Sequence, residues 1–282
     1  MNCPNIDLSS MTPKQLEELQ QLISPPNVSW SVILLWVSML GTYIAASTLA
    51  VLEVIPLWIG MFINSIAVYY AFGVIHDGIH FAICCNKHIN NWITQSTTLL
   101  VAPYVSLSLF RWGHLQHHRF INHAKDDPDY APYAWLLPIR WAFLDIAYLI
   151  YALKHRNNTG SKYLRTSIPW IAGSIIVISI LIMMGYGLEI LMLWFIPSRI
   201  ILIILSFTFF WIPHVPQTEY FTKVATSSAY KKLMALFLQW RHYHLIHHLY
   251  PSAPFFNNEK IWKLLEPQLR TYDFDLINTM HV

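Results

Sequence analysis

The sequence predicts an all-α membrane protein with four transmembrane helices, further helices in the membrane interface, and a cytoplasmic cap rich in histidine. Three observations support this fold class. Hydrophobic residues make up 55% of the 282 residues and charged residues only 12%, about half the charged share of an ordinary soluble domain. Four apolar stretches are long enough to cross a bilayer. Most of the 14 histidines fall in three short clusters outside those stretches or at their ends.

The four apolar stretches contain almost no charge. A transmembrane helix needs roughly 20 consecutive apolar residues. Residues 28–52, 54–75 and 166–188 contain no charged residue, and residues 190–213 contain only Arg199. The sequence therefore predicts four membrane spans close to these bounds, all within one integral-membrane domain that covers residues 28–282.

The segment before the first span, residues 1–27, is predicted to be cytoplasmic and to contain a short amphipathic helix. The stretch SSMTPKQLEELQQLIS has the signature of a helix start, with Thr12 as the N-cap, Pro13 as the first helical residue and Gln15 as the capping-box partner. The segment does not have the pattern of a cleavable signal peptide.

The distribution of Lys and Arg predicts the orientation in the membrane. The two outer loops that four spans create, near Glu53 and near residues 185–189, contain no Lys or Arg. Apart from Arg199, all Lys and Arg residues fall on the other side, which the positive-inside rule assigns to the cytoplasm. Both termini and the cap, residues 76–165 and 214–282, are therefore expected on the cytoplasmic side.

Two further apolar stretches, residues 88–110 and 135–153, are interrupted by polar residues and prolines. If both crossed the bilayer, the central histidine cluster would lie on the outer side, away from the other two. We expect instead that both stretches re-enter or lie in the interface, as amphipathic segments do, because this collects every histidine cluster on one face.

Three histidine clusters repeat one geometry along the chain. HDGIH follows the second predicted span, RWGHLQHHRF lies in the first part of the cap, and RHYHLIHHLYP lies towards the C-terminal end. Histidines at i and i+4, or at i, i+3 and i+4, share one face of a helix. The histidine of WIPHVP, at the end of the fourth span, is added to these. The candidate metal ligands are therefore His76, His80, His114, His117, His118, His214, His244, His247 and His248.

Nine imidazoles are too many for one metal ion and suit two ions with four or five ligands each. Imidazole binds iron, zinc, copper and nickel, and a single tetrahedral zinc site uses only four ligands. Asp77 lies beside the first histidine, and the DDPD run includes Asp127. We expect these carboxylates to orient ligand imidazoles. The alternative is that all three clusters are interfacial histidines that share a membrane face by chance.

The three clusters in this order resemble the histidine boxes of the membrane fatty-acid desaturase superfamily, which includes carotenoid hydroxylases and ketolases. HDGIH is similar to the first box, HLQHH to the second and HYHLIHHLYPSAPFF to the third. The run HHRFINHAKDDPDY resembles the continuation of the second box, and WIPHVP resembles an element that supplies an extra ligand in some branches. The resemblance covers roughly residues 30 to 265.

This resemblance implies a centre of two iron ions that uses O2 as co-substrate to remove hydrogen from an unactivated C–H bond of a membrane lipid chain. Desaturation of a fatty acyl chain is the leading expectation, and hydroxylation or ketolation of a carotenoid is the alternative on the same scaffold. The chain shows no Cys run for an iron–sulfur cluster and no dinucleotide-binding motif. A separate electron donor, such as a ferredoxin or a b-type cytochrome, is therefore expected.

Two other functional classes are less well supported. A metal transporter would place its ligands near the middle of the spans, whereas these histidines lie at span ends and in the cap. A nucleic-acid partner is not expected, because the net charge of +3 is small.

Overall fold

The structure of the chain is a computed structural model that describes residues 6–121, 123–130, 137–156, 159–211 and 243–269. Regular structure in these residues is helical, with one isolated β-bridge between Val28 and Cys84. The helices are α1 (Pro13–Ile23), α2 (Trp30–Val51), α3 (Leu57–Ile79), α4 (Lys87–Val101), α5 (Leu107–Arg119), α6 (Leu137–Ala142), α7 (Leu144–Lys154), α8 (Gly160–Met183), α9 (Gly187–Ile190), α10 (Ile196–Leu205), α11 (His244–Leu249) and α12 (Asn258–Leu269).

Four helical stretches are long and apolar enough to cross a membrane: Trp30–Val51, Leu57–Ile79, Gly160–Met183 and Gly187–Thr208. The last of these joins α9 and α10 through a π-helical turn, Leu191–Phe195. Only 17% of the apolar window of α2 and 6% of that of α8 is buried inside the protein. Such apolar exposure is typical of helices that face lipid. The predicted fold class, an all-α membrane protein with four spans, is therefore confirmed.

All four spans differ from their predicted bounds by a few residues, and two of these differences change the place of a histidine or of charged residues. α3 continues to Ile79, so His76 lies in its last turn instead of beginning the cap. α8 begins at Gly160, ahead of the predicted residue 166, and its first turns expose Lys162 and Arg165. The cause is the same in both cases, because a polar or charged residue ends an apolar window in the sequence but does not end a helix.

Tight turns join the four spans in pairs. A short turn with Glu53 at a φ of 59° connects α2 to α3, and Gly185, with a φ of 94°, lies between α8 and α9. Glycine adopts this left-handed conformation without a steric penalty. Both turns lie where the sequence predicts the outer loops, so the cap elements are attached at the other ends of the spans.

The two ambiguous apolar stretches form short helices. Residues 88–110 divide into α4, with 15 residues, and the start of α5. In the second stretch, α7 has 11 residues. Because a span needs roughly 20 residues, these lengths favour the expectation that both stretches re-enter or lie in the interface.

The N-terminal helix α1 packs against α12, the last helix of the described residues. It begins as the sequence predicts, because Thr12 Oγ1 accepts from Gln15 N (3.3 Å) and Gln15 Oε1 accepts from Thr12 N (2.9 Å). Its Leu19 side chain is 3% exposed and belongs to a hydrophobic cluster with Ile261 and Leu265 of α12. α1 therefore packs against the helix that follows the third histidine cluster.

Replacing Leu19 by Ala should lower the free energy of unfolding by about 2–5 kcal/mol, because it leaves a cavity between α1 and α12. Thermal denaturation of the protein in detergent measures this loss. Leu16→Ala is the matched control, since Leu16 lies on the same helix and is 38% exposed. Equal effects of the two variants would contradict this packing.

Candidate metal centre

The end of α3 places the first pair of histidines. His76 and His80 lie about one helical turn apart and are both buried. A Cβ atom at Gly78 would lie 1.9 Å from Thr94 Oγ1, so α4 packs directly on the backbone of α3. The buried Asn90 side chain donates through Nδ2 to the Gly78 carbonyl (2.8 Å). These contacts hold the last turn of α3 against α4.

Helix α5 carries the second set. His114, His117 and His118 are all buried on this helix. Close packing with α7 fixes it in place, because a Cβ atom at Gly113 would lie only 2.2 Å from Cδ1 of Tyr148. Glycine at this position lets the two helices approach closely, so that the histidines are held on a rigid element.

The short helix α11 carries the third set, His244, His247 and His248. The first two are buried and the third is partly buried. The fully buried Ile246 anchors this helix in the same hydrophobic cluster as Leu265 of α12. α1 and α12 therefore share a hydrophobic cluster with the helix that carries the third histidine set.

The three sets meet in one cluster although they are far apart in sequence. In a first group, one nitrogen from each of His76, His80, His114 and His247 lies within 4.8 Å of the others. His118 lies next to this group, because its Nε2 is 3.0 Å from His114 Nε2 and 2.9 Å from His247 Nε2. All three sets thus contribute to the cluster at hydrogen-bonding or ligand-to-ligand distances.

A second group lies beside the first. One nitrogen from each of His117, His244 and His248 lies within 4.8 Å of the others. His248 Nε2 is 2.7 Å from His244 Nε2, and the ring centroid of His118 is 4.4 Å from that of His248. His118 therefore lies between two groups of histidines, each of which could hold a metal ion.

The geometry and chemistry of the cluster fit metal ligation. Two ligands about 2.1 Å from one ion and at right angles to each other lie about 3.0 Å apart. The Nε2–Nε2 distances of 2.7, 2.9 and 3.0 Å are close to that separation. Nε2 of His80 is buried and has no hydrogen-bond partner among the described residues, as expected of a nitrogen that binds metal.

The protonation of the first group also suits a metal site. Burial, with the charges of neighbouring groups as a second cause, lowers the pKa of His80, His114 and His247 well below the usual value for histidine. These imidazoles are therefore neutral at pH 7, and neutral imidazole is the form that binds a metal ion.

Two carboxylates orient His117. Its Nδ1 lies 3.0 Å from Asp127 Oδ1 and 3.5 Å from Asp129 Oδ2. Burial alone would lower the pKa of His117, but the charges of these two aspartates outweigh it and raise the pKa. Burial also raises the pKa of Asp129 to about 6, although His117 acts against this shift. With Nδ1 held by carboxylate, Nε2 of His117 is the atom left to bind a metal with the second group.

Replacing Asp127 by Asn should weaken metal binding at the second group by about 10–100-fold, the usual effect of losing a carboxylate that orients a ligand histidine. Titration of the metal-free protein with Co²⁺ measures the affinity. Asp126→Asn is the matched control, because the Asp126 carboxylate is 40% exposed and pairs with the exposed His123. Unchanged affinity in Asp127→Asn would show that the carboxylate does not support the ligand.

Asp77, which the sequence predicts to orient an imidazole, has a different described contact. Its Oδ2 atom accepts a hydrogen bond from the backbone N–H of Phe255 (3.2 Å). This bond joins the end of α3, which carries the first histidine set, to the backbone of the segment that follows α11, the helix with the third set.

The histidines other than these eight are not part of the described cluster. His214, a predicted ligand, lies outside the described residues, as do His242 and His281. His88 is exposed, and His155 Nδ1 lies 3.0 Å from the backbone carbonyl of Tyr151. The structure thus brings together eight of the nine predicted ligands, all of those that it describes.

Other residues support the cluster without a signal in the histidine pattern. Arg140 of α6 donates to the Pro128 carbonyl (2.6 Å) and to the Tyr130 carbonyl, on either side of Asp129. The Tyr148 hydroxyl donates to Asp129 Oδ1 (3.0 Å). α6 and α7 thereby hold the acidic segment against α5.

The sequence matches a known protein family. The family model described as fatty acid desaturase matches residues 46–277, well over half of the 282 residues, and this range includes all three histidine sets. No curated protein and no solved structure matches the chain. The chain belongs to the fatty acid desaturase family.

Proposed function

We propose that this chain is a diiron enzyme that uses O2 to remove hydrogen from an unactivated C–H bond of a membrane lipid chain, most directly to desaturate a fatty acyl chain. The observation that carries the proposal is the meeting of eight histidines, from α3, α5 and α11, in one cluster. Membership in the family supports the coarser statement that the chain is a desaturase-like, O2-dependent oxidoreductase acting on lipids.

Each ion has its own set of ligands in this proposal. The first ion takes His76, His80, His114 and His247, with His118 next to it. The second takes His117, His244 and His248, and we assign His214 to the ligand set on its sequence position alone. Iron, when bound, supplies the activation of O2 that an unactivated C–H bond requires.

The chain itself supplies a fixed and water-poor setting. Seven of the eight clustered histidines are buried, and Phe72, Ile75 and Ile79 of α3 are buried in the hydrophobic core that adjoins them. α3 leads from a candidate membrane span into the cluster. The proposed metal centre therefore lies at the end of a candidate membrane span, next to the bilayer that would hold a lipid substrate.

Desaturation with O2 requires a donor of electrons. Removal of two hydrogens from the chain with reduction of O2 to two waters uses two further electrons and two protons. We assign the electrons to a separate donor such as a ferredoxin or a b-type cytochrome. Lys154, the last residue of α7, and the nearby Arg156 are exposed. By the positive-inside rule they support a cytoplasmic location of the site, and their positive charge would attract an acidic donor protein.

Product analysis tests the proposal. The chain is expressed in a host that contains fatty acids, carotenoids and a competent electron donor, and the lipids are analysed by mass spectrometry. A new double bond in a fatty acyl chain is the expected result. A new hydroxyl or keto group on a carotenoid would identify the chain as a hydroxylase or ketolase on the same scaffold. Unchanged lipids would contradict both activities.

Metal analysis of the purified protein provides the second test. The proposal predicts about two iron ions per chain. Bound zinc without lipid oxidation, together with metal uptake into vesicles that contain the protein, would instead support transport.

A further inference from the structure

We propose that Arg111 is a positioning residue that orients the first histidine pair by holding the C-terminal carbonyl groups of α3. This inference rests on the proposed function, because it assigns the role of a residue that the proposed ligand set does not include.

The guanidinium of Arg111 binds the end of α3 at two points. Nε donates to the Ile79 carbonyl (2.9 Å), and Nη2 donates to the Gly78 carbonyl (2.9 Å). The last carbonyl groups of a helix have no partner within the helix and need one from outside. Arg111 supplies such a partner at Ile79 and, together with Asn90, at Gly78, the two residues that directly precede His80.

The surroundings of the guanidinium keep it in this position. Nη2 also donates to Asn91 Oδ1 of α4 (2.7 Å), and the Phe81 ring lies 4.1 Å from Cζ. Phe81 has a φ of 60°, so the chain leaves α3 in a left-handed conformation that non-glycine residues seldom adopt. Arg111 thus contacts both the carbonyl groups before His80 and the side chain after it.

Arginine suits this position better than lysine does. Its planar fork presents several N–H groups in fixed directions and stacks on an aromatic ring, whereas lysine offers a single flexible ammonium group. Here two different nitrogens reach two successive carbonyl groups while the plane covers Phe81. A lysine at residue 111 keeps the charge but loses this combination.

Arg111 also couples the first histidine set to the second. It lies three residues before His114 and seven before His118 on α5, so the three side chains share one face of that helix. One face of α5 therefore provides two imidazoles of the cluster and the guanidinium that binds the Gly78 and Ile79 carbonyl groups before His80. A displacement of α5 would move both sets together.

The test compares Arg111→Lys with Arg119→Lys, an exposed arginine on the same helix. The metal-free full-length proteins are titrated with Co²⁺, and the visible absorption bands of bound cobalt report the coordination of each ion. Bands that are missing in His80→Ala identify the first ion. We expect Arg111→Lys to weaken binding of the first ion by at least about tenfold and to change its bands, and to leave the second ion unaffected. Arg119→Lys should match the wild type.

A second variant covers the case in which Arg111→Lys does not fold. Asn91→Ala retains the arginine but removes one of its partners, and we expect it to cause a smaller loss of affinity for the first ion. Wild-type affinity and bands in Arg111→Lys would overturn the positioning role while the diiron proposal stands. Wild-type behaviour of Asn91→Ala together with an unfolded Arg111→Lys would also overturn it, since the arginine would then serve folding alone. A wild-type protein that binds no pair of ions would overturn the diiron proposal itself.

Discussion

Replacing His80 by Ala is expected to abolish lipid oxidation and to reduce the bound iron from two ions to one per chain. Nε2 of His80 is buried and has no hydrogen-bond partner among the described residues. Loss of a residue that only orients a ligand costs about 10–100-fold in affinity or activity, so loss of a ligand should cost at least about 100-fold. The same result is expected for His117→Ala and His247→Ala.

Metal content by elemental analysis and product formation by mass spectrometry measure these effects. His88→Ala is the control, because His88 is exposed on α4 and lies outside the cluster. Circular dichroism of each variant separates loss of metal from loss of fold. Wild-type activity and two iron ions in His80→Ala would remove His80 from the ligand set.

Replacing Arg199 by Leu is expected to lower the free energy of unfolding by about 3–5 kcal/mol, the usual effect of breaking a buried ion pair on one side. Arg199 and Asp145 are 8% and 7% exposed. Two parallel contacts join them, from Nη2 to Oδ2 (2.7 Å) and from Nη1 to Oδ1 (3.0 Å). The Tyr104 hydroxyl also donates to the Asp145 carboxylate. Removal of the arginine leaves this carboxylate buried without its counter-charge.

The double variant Arg199→Leu and Asp145→Leu tests the cause of that loss. If the uncompensated carboxylate is responsible, the double variant should be more stable than Arg199→Leu alone, because no buried charge remains. Thermal denaturation in detergent measures the stability of the wild type, of Arg199→Leu, of Asp145→Leu and of the double variant. Additive losses in the double variant would show that the two side chains act independently.

The membrane helices could be predicted from the sequence because hydropathy is a local property. The four spans follow directly from long runs with almost no charge, and only their ends differ from the prediction, as for α8 and its Lys162. The partner of Arg199 could not be predicted in the same way. Asp145 lies 54 residues earlier in the chain, and only the fold brings the two together.

In the histidine cluster, too, features within one helix could be predicted from the sequence, whereas contacts between distant segments could not. Spacing within each set predicts the shared face of α5 and of α11, because that face depends on helix periodicity alone. The hydrogen bond from Phe255 to Asp77 spans 178 residues, and the clamp from Arg111 to Gly78 spans 33. These contacts depend on how helices pack, and neither has a spacing that a sequence pattern could report.

The packing of α1 on α12 has a consequence for the order of events during synthesis. The ribosome makes α1 first and α12 near the end of the described chain, and Gln268 Nε2 donates to Ser10 Oγ (3.0 Å) across a separation of 258 residues. The third histidine set lies just before α12, so the cluster of described histidines cannot be complete until His248 has left the ribosome. The proposed loading with two metal ions therefore follows synthesis of the third histidine set, by which time all four candidate spans have been made.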